Sequence, residues 1–422
     1  EMYIGDWSSD VCSSDLLTMR RKIESLSTTF LSFLRSEASG GVILLICAIL
    51  AVIIANSPWG GAYEHSLHTP IAIGIGPFSL EMGLLHWVND GLMAVFFFLV
   101  GLEIKREFLY GELRTKSAMI LPVCGALGGM LVPALFYSLL NFGTATSGGW
   151  GIPMATDIAF ALGIMTLAAR SAPPGLVVFL TALAIVDDLG AIVVIALFYS
   201  TDLAWIALAS GLAALAGAFL LNRLKICFFP AYLALGLVAW YFFLKAGIHP
   251  TIAGVILGFS IPAEGNCKVS MLHQWEKRLH PWSAYLIMPV FALSNAGVEI
   301  SLASLDFTSP LPWGILAGLF LGKPVGIFGS VYLLHKIGHI DIPGKASPRE
   351  LAATGMLGGI GFTMSIFIAS IAFTDPSLLN LAKFSILLAS TISAAAGTLV
   401  FLISGSKGRD TLPLSEMEKI QG

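Results

Sequence analysis

Two adjacent aspartates, Asp187 and Asp188, lie inside the apolar run TALAIVDDLGAIVVIALFY over residues 181–199. Water along the helix axis is then about 15 Å away at roughly 1.5 Å per residue, beyond the reach of a snorkelling side chain. A charge at that depth costs at least about 2.5–3.5 kcal/mol, and a second one beside it must also be accommodated. A cation, a proton or a buried basic partner can supply the compensation, and each makes the pair a functional site.

Asp157, in ATDIAF, and Lys323, in LGKPVGI, fall near the centres of two other apolar runs and share that depth. Neighbouring positions on a helix point about 100° apart, so Asp187 and Asp188 serve different partners. Lys323 can pair with one as its charge partner. The other is left to a water-filled funnel, where a small hard cation such as Na⁺ and protons compete for carboxylate oxygens. Thr156, beside Asp157, adds an uncharged hydroxyl oxygen. The bland alternative for Asp157 and Lys323 is structural, neutralising the partial charges of broken helix ends.

Nearer the ends of the apolar runs, WVNDGLMAVFFFLVGLEIKRE places Asp90 toward one boundary, where capping and ion access compete as explanations. The same stretch places Glu103 and Glu107 around Lys105 and Arg106 at the other boundary. Such a charge cluster reads as a solvated face or as a cation-attracting, pH-responsive mouth. His249 in KAGIHPTIAG and His280 in EKRLHPW, beside Glu276, are titratable near neutral pH; each is by itself a weak signal. Lys383, in the last apolar run, reads as a snorkelling side chain.

The elements that must hold these groups are membrane helices. With 56% hydrophobic and only 12% charged residues in 422, the chain is read as an all-α polytopic membrane protein. Its net charge of −3 and the lack of a basic tract argue against nucleic acid as a partner. Five cysteines without CxxC or CxxH spacing suggest neither a metal centre nor a disulfide. Hydropathy places spans near 41–56, 84–104, 117–142, 150–169, 176–199, 203–221, 226–245, 251–262, 283–303, 311–334, 349–373 and 378–404, twelve in all. With both termini inside, 20 of the 23 Lys and Arg fall in cytoplasmic segments; Lys245 alone is outside, and Lys323 and Lys383 are within spans. The alternating TPIAIGIGPFSLEM over 69–82 predicts an external β-hairpin.

Two spans are expected to be broken. The fourth carries Gly151, Pro153 and Gly163 around ATDIAF, and the eleventh carries Gly355, Gly358, Gly359 and Gly361 in GMLGGIGFTMS. Glycine costs a helix about 1 kcal/mol per residue relative to Ala, so extended backbone is expected at both places, with small-residue packing as the rival. The two spans enter from opposite sides and occupy matching places in spans 3–5 and 10–12, the layout of inverted repeats with two broken helices crossing near the midplane. A twelve-helix transporter domain is thus expected over 41–404, after a cytoplasmic segment 17–40 and before a tail 405–422. Residues 1–16 are set apart: DWSSDVCSSDL over 6–16 is what one frame of a common sequencing adapter encodes, which makes Met19 the expected start.

ATDIAFALGI, ALAIVDDLGAI, LGKPVGI, GGIGFTMSIFIAS, WVNDGLMAVFFFLVGLEIKRE and SEASGGVILL together resemble the bacterial NhaA sodium/proton antiporter family, over about residues 35–401. The resemblance implies electrogenic exchange of cytoplasmic Na⁺ or Li⁺ for more than one external proton, in the bacterial inner membrane, with no cofactor. It implies ion and proton binding at Asp187 and Asp188, with Asp157 and Thr156 on the broken fourth helix and Lys323 paired to the first aspartate. Glu103, Glu107, Glu276 and His249 match positions tied to pH regulation, and segment 69–82 matches a hairpin that joins two copies into a homodimer. Lys277 and Arg278 stand where more histidine is expected, and the hairpin carries GIGP; both departures bear on regulation and dimerisation.

The nearest rival is a cation-coupled symporter using the same carboxylates, but no further membrane charge or aromatic cage offers an organic substrate a pocket. An intramembrane aspartyl protease also places two carboxylates in the bilayer, yet its GxGD and YD signatures are missing from the apolar runs. A channel fits less well, because a lysine at the depth of the aspartates suits a gated site rather than a continuous cation path.

Overall fold

Apolar runs begin at residues that supply what a first helical turn lacks. Pro174, Pro310, Pro348 and Pro376 sit at helix starts, where the missing N–H costs nothing. Ser347 and Glu350 form a reciprocal capping box. Asp375 accepts from the amide and hydroxyl of Ser377, at 2.8 and 2.6 Å, which holds its carboxyl below the usual range.

The computed structural model describes residues 37–73, 80–168, 172–200, 203–263, 270–300, 306–338 and 340–405. The expected adapter segment 1–16, the segment from 17 to 36, residues 74–79 of the expected hairpin and the expected tail beyond 405 lie outside them. The described chain runs α1 (Glu37–Ala55), α2 (Gly60–His68), β1 (Pro70–Ile73), β2 (Leu80–Gly83), α3 (Leu84–Tyr110) and α4 (Lys116–Leu140). A 3₁₀ stretch, Ser147–Met154, leads into α5 (Ile158–Ala168), followed by α6 (Pro174–Phe198), α7 (Trp205–Arg223), α8 (Phe229–Ala246) and α9 (Thr251–Ser260). Then come α10 (271–295), α11 (Pro310–Gly338), α12 (Pro348–Gly358), α13 (Phe362–Ala372) and α14 (Pro376–Gly405). Among the described residues eight helical stretches are long and apolar enough to cross a bilayer, or ten if each of two bent pairs is one span. The chain is a multi-pass membrane protein.

β1 and β2 pair antiparallel, Pro70 opposite Gly83 and Ile73 opposite Leu80, and the Trp87 indole donates to the Ile71 carbonyl at 3.0 Å, tying the ribbon to α3. Three features depart from the hydropathy reading. α2 turns by 111° from α1 and was hidden because its sequence, GGAYEHSLH, is polar. α10 starts at Met271 and ends at Asn295, where hydropathy placed a span over 283–303, because its first turns carry Glu276, Lys277 and Arg278. Lys383 does not snorkel outward; it is buried within the protein.

The two expected breaks differ in kind. At 155–157 the helix is interrupted, with Ala155 extended at φ −78°, ψ 149°. Between α12 and α13 the chain instead kinks by 43°, and Gly359 and Gly361 keep helical-region dihedrals. Glycine is needed there for space: a side chain at Gly359 would strike the Leu319 carbonyl oxygen, and one at Gly358 the end of Ile327. Close approach also joins α4 to α11, since a Cβ at Gly326 would lie 2.6 Å from the Gly128 carbonyl carbon. Gly326→Ala is therefore expected to lower stability by about 1–3 kcal/mol through overpacking. Gly329→Ala, whose Cβ would meet nothing within 4 Å, should be neutral or gain up to about 1 kcal/mol of helix propensity. Thermal unfolding of the two purified variants in detergent checks the contrast.

Candidate ion-binding site

The break before α5 meets the break between α12 and α13. The Asp157 amide donates to the Ile360 carbonyl at 2.7 Å, and the Thr156 hydroxyl donates to the Gly358 carbonyl at 2.9 Å. Each segment thus satisfies backbone groups that the other's broken helix exposes. Residues 156 and 157 are fully buried.

Asp157 accepts hydrogen bonds on both oxygens. Its Oδ1 accepts the Phe160 amide at 3.0 Å, and its Oδ2 accepts the Thr363 amide at 3.2 Å and, in a shorter bond, the Thr363 hydroxyl. One carboxylate thereby caps the N-termini of both α5 and α13, where the positive ends of two helix dipoles favour negative charge. Thr363 was missed in the sequence; the signal available was a hydroxyl residue two positions after Gly361, at the start of a half-helix.

Lys323 comes from α11. Its ammonium donates to Asp187 Oδ2 at 2.6 Å and to the Thr156 hydroxyl oxygen at 2.7 Å, with the Lys323 and Asp187 side chains 0% and 1% exposed. Thr156 passes its own proton to Gly358, so its lone pair is what faces the ammonium. Asp188, the next residue on α6, is 2% exposed and within electrostatic reach of Lys323 without a hydrogen bond to it. The Oδ1 atoms of Asp187 and Asp188 are buried and accept no protein hydrogen bond. Unlike Asp157, the adjacent pair keeps oxygen lone pairs for something else. Among the described residues no three His, Cys, Asp or Glu side chains converge as a resident metal centre would require. Gly361 closes the site's other side: a side chain there would collide with the Ser365 hydroxyl and come within 3.1 Å of the Ala155 carbonyl oxygen.

The remaining sequence candidates gather in two places. His249 Nε2 is 3.4 Å from Asp90 Oδ1, while its Nδ1 shares a 2.8 Å hydrogen bond with the Thr251 hydroxyl and its ring stands edge-on to Phe367. Glu107 and Glu276 meet through Arg106, each at 2.6 Å, and Glu103 is within electrostatic reach of all three. Lys105, noticed in sequence only as a neighbour of these glutamates, donates instead to the Phe259 and Ile261 carbonyls at 2.8 and 2.5 Å and caps α9. His280 lines an open pocket beside Arg106, His273 and Glu276. Neither group hydrogen-bonds to the aspartate pair, although Glu103 is within electrostatic reach of Asp188.

A family model described as Na⁺/H⁺ antiporter 1 matches residues 31–401. A curated relative from Clostridium beijerinckii, Na⁺/H⁺ antiporter NhaA 2, is 52% identical over 389 residues, covering 91% of this chain and 96% of the relative. One from Sulfurovum sp., Na⁺/H⁺ antiporter NhaA, is 46% identical over 386 residues, covering 90% and 98%. Among solved structures, the sodium proton antiporter MjNhaP1 from Methanocaldococcus jannaschii at pH 8 matches with a TM-score of 0.50 at 16% identity, covering 92% of this chain and 98% of that one. At that identity the likeness concerns the fold alone.

Thr363→Val keeps the shape of the side chain but removes one donor from Asp157. Leaving a buried carboxylate less satisfied should cost about 1–3 kcal/mol, and Thr363→Ser should restore most of it. Melting temperatures of both variants, set against the unaltered chain, test this.

Proposed function

Because the chain belongs to the Na⁺/H⁺ antiporter 1 family, whose members are secondary transporters rather than enzymes, we propose that it exports Na⁺ or Li⁺ in exchange for protons. The single observation that carries the reading is the buried adjacent pair, whose Oδ1 atoms accept no protein hydrogen bond while Lys323 occupies only one of the four carboxylate oxygens.

The exchange follows from competition. Carboxylate oxygens in a dry site hold either a hard monovalent cation or protons, so arrival of one expels the other. Asp188 and the free oxygen of Asp187 bind the ion, and Lys323 holds the opposite charge until the ion replaces it. Thr156 and Asp157 keep the backbone breaks in register around this point. If more than one proton leaves as one sodium binds, each cycle moves net charge, and exchange is electrogenic.

The finer arrangement belongs to the same proposal. α1, the helices from α3 to α11, the α12/α13 pair and α14 make twelve crossings, with α5 and α12/α13 as the matched broken members of two inverted repeats, and both termini on the cytoplasmic side of a bacterial inner membrane. The cluster of Glu103, Arg106, Glu107 and Glu276 lies at the cytoplasmic mouth and the Asp90–His249 contact at the outer one, where protonation tunes access. The β1–β2 ribbon pairs with that of a second copy.

The test is reconstitution in proteoliposomes with a pH-sensitive dye inside. Na⁺ and Li⁺, but not K⁺, should move protons, and Asp188→Asn should reduce that flux by about a hundredfold or more, since it removes the charge that defines the site. For each competing proton the half-saturating Na⁺ concentration should rise about tenfold per pH unit on the acid side. No Na⁺-driven proton movement from folded protein at any pH would overturn the reading.

A further inference from the structure

α11 is not uniform. Over Ala317–Gly322 it widens into a π-helical turn, and the Lys323 amide donates to the Gly318 carbonyl, five residues back. The following residue is Pro324. The Leu319 carbonyl is therefore passed over twice: its α-helical donor, Lys323, is engaged elsewhere, and its π-helical donor would be Pro324, which has no N–H. That carbonyl is the one that leans against Gly359 at the break between α12 and α13.

The same arrangement occurs a second time. α10 widens over Ser283–Ile287, the Met288 amide donates to the Ser283 carbonyl, and the next residue is Pro289. Ala284 is the residue passed over, and it too packs on a glycine, Gly40 of α1. Pro122 and Pro133 sit within α4 without any widened turn, so proline does not suffice by itself. At these two places the wide turn also moves the carbonyl four residues back, with which a proline ring in an ordinary helix collides.

A wide turn adds one residue to the helix, which rotates everything beyond it by about 100° relative to the turns before it. The residue at that junction in α11 is Lys323. We propose that Pro324 is a positioning residue: by ending the wide turn it aims Lys323 at Asp187 and Thr156 and holds the Leu319 carbonyl against the crossing. Restoring an N–H at 324 lets the turn close to α-helical register and swings the ammonium off Asp187. The charged groups that face Lys323 are Asp187 and Asp188 of α6; Asp157 and Glu103 bear on the same pair from the break before α5 and from α3. This inference rests on the exchange reading, and its test separates the two.

The full chain, Pro324→Ala, Pro324→Gly and Pro289→Ala are reconstituted, and Na⁺-driven proton flux is followed across pH. Removing a positive charge from the aspartates favours protons and Na⁺ alike. Both Pro324 variants should shift the activity curve to higher pH by about half a unit or more and, at its alkaline end, lower the half-saturating Na⁺ by about threefold. Pro289→Ala should leave both within about a factor of two, since it changes the same motif away from the aspartates. A variant that is merely damaged loses rate without binding Na⁺ more tightly. Unchanged curves for both Pro324 variants overturn the inference and leave the exchange reading standing. So does loss of folded protein in both, which would make Pro324 a folding residue. A silent unaltered chain overturns the reading and the inference together.

Discussion

A carboxylate removed from water must be answered by donors or by positive charge, and the centre of this protein is arranged around three carboxylates answered to different degrees. Asp157 receives three donors and joins two helix ends. Asp187 receives one ammonium on one oxygen. Asp188 has a buried oxygen that receives nothing from the protein. Removing either member of a buried ion pair leaves an uncompensated charge, so the positions of α6, α11 and the two breaks are mutually dependent through Lys323. The rank order of satisfaction separates Asp157, whose oxygens are taken up by two helix ends, from Asp187 and Asp188, whose Oδ1 atoms remain unpartnered.

Much of this was legible from residue types alone, because lipid makes polar residues conspicuous. Asp157, Asp187, Asp188 and Lys323 stand out in apolar runs, and the 100° offset between neighbours anticipates that Lys323 meets only one member of the pair. Partners separated by long stretches of chain were not legible. Thr363 reads as one of many hydroxyl residues, and nothing local joins Asp90 to His249 or Arg106 to Glu276. α2 and the first half of α10 escaped because hydropathy detects lipid contact rather than helix formation, and both are polar. The glycines around 358–361 do mark a break, but the extended backbone expected of them is not found there: the chain kinks with helical dihedrals and the glycines serve close packing, the rival reading, against Ile327 and the Leu319 carbonyl. Widened turns leave almost no trace in composition; the two before Lys323–Pro324 and Met288–Pro289 share a proline offset, and the one over Trp87–Leu92 does not.

Lys105 and the Asp90–His249 contact acquire a joint meaning from the brevity of the helix between them. α9 has ten residues and is about 15 Å long, half of a hydrocarbon core of about 30 Å. Polar side chains stand at both of its ends, Lys105 at one and the Asp90–His249 contact at the other. A transmembrane voltage falls mainly across insulating material. Where water reaches both ends of such a helix, the same potential acts over roughly half the usual distance, and the local electric field is about doubled. Under the proposed exchange, an ion stepping between these two ends would traverse most of the membrane voltage, at about 2.3 kcal/mol per charge per 100 mV, in a short displacement. In that proposal the length of α9, rather than the number of helices that move, would set how strongly a charge-moving cycle is coupled to voltage.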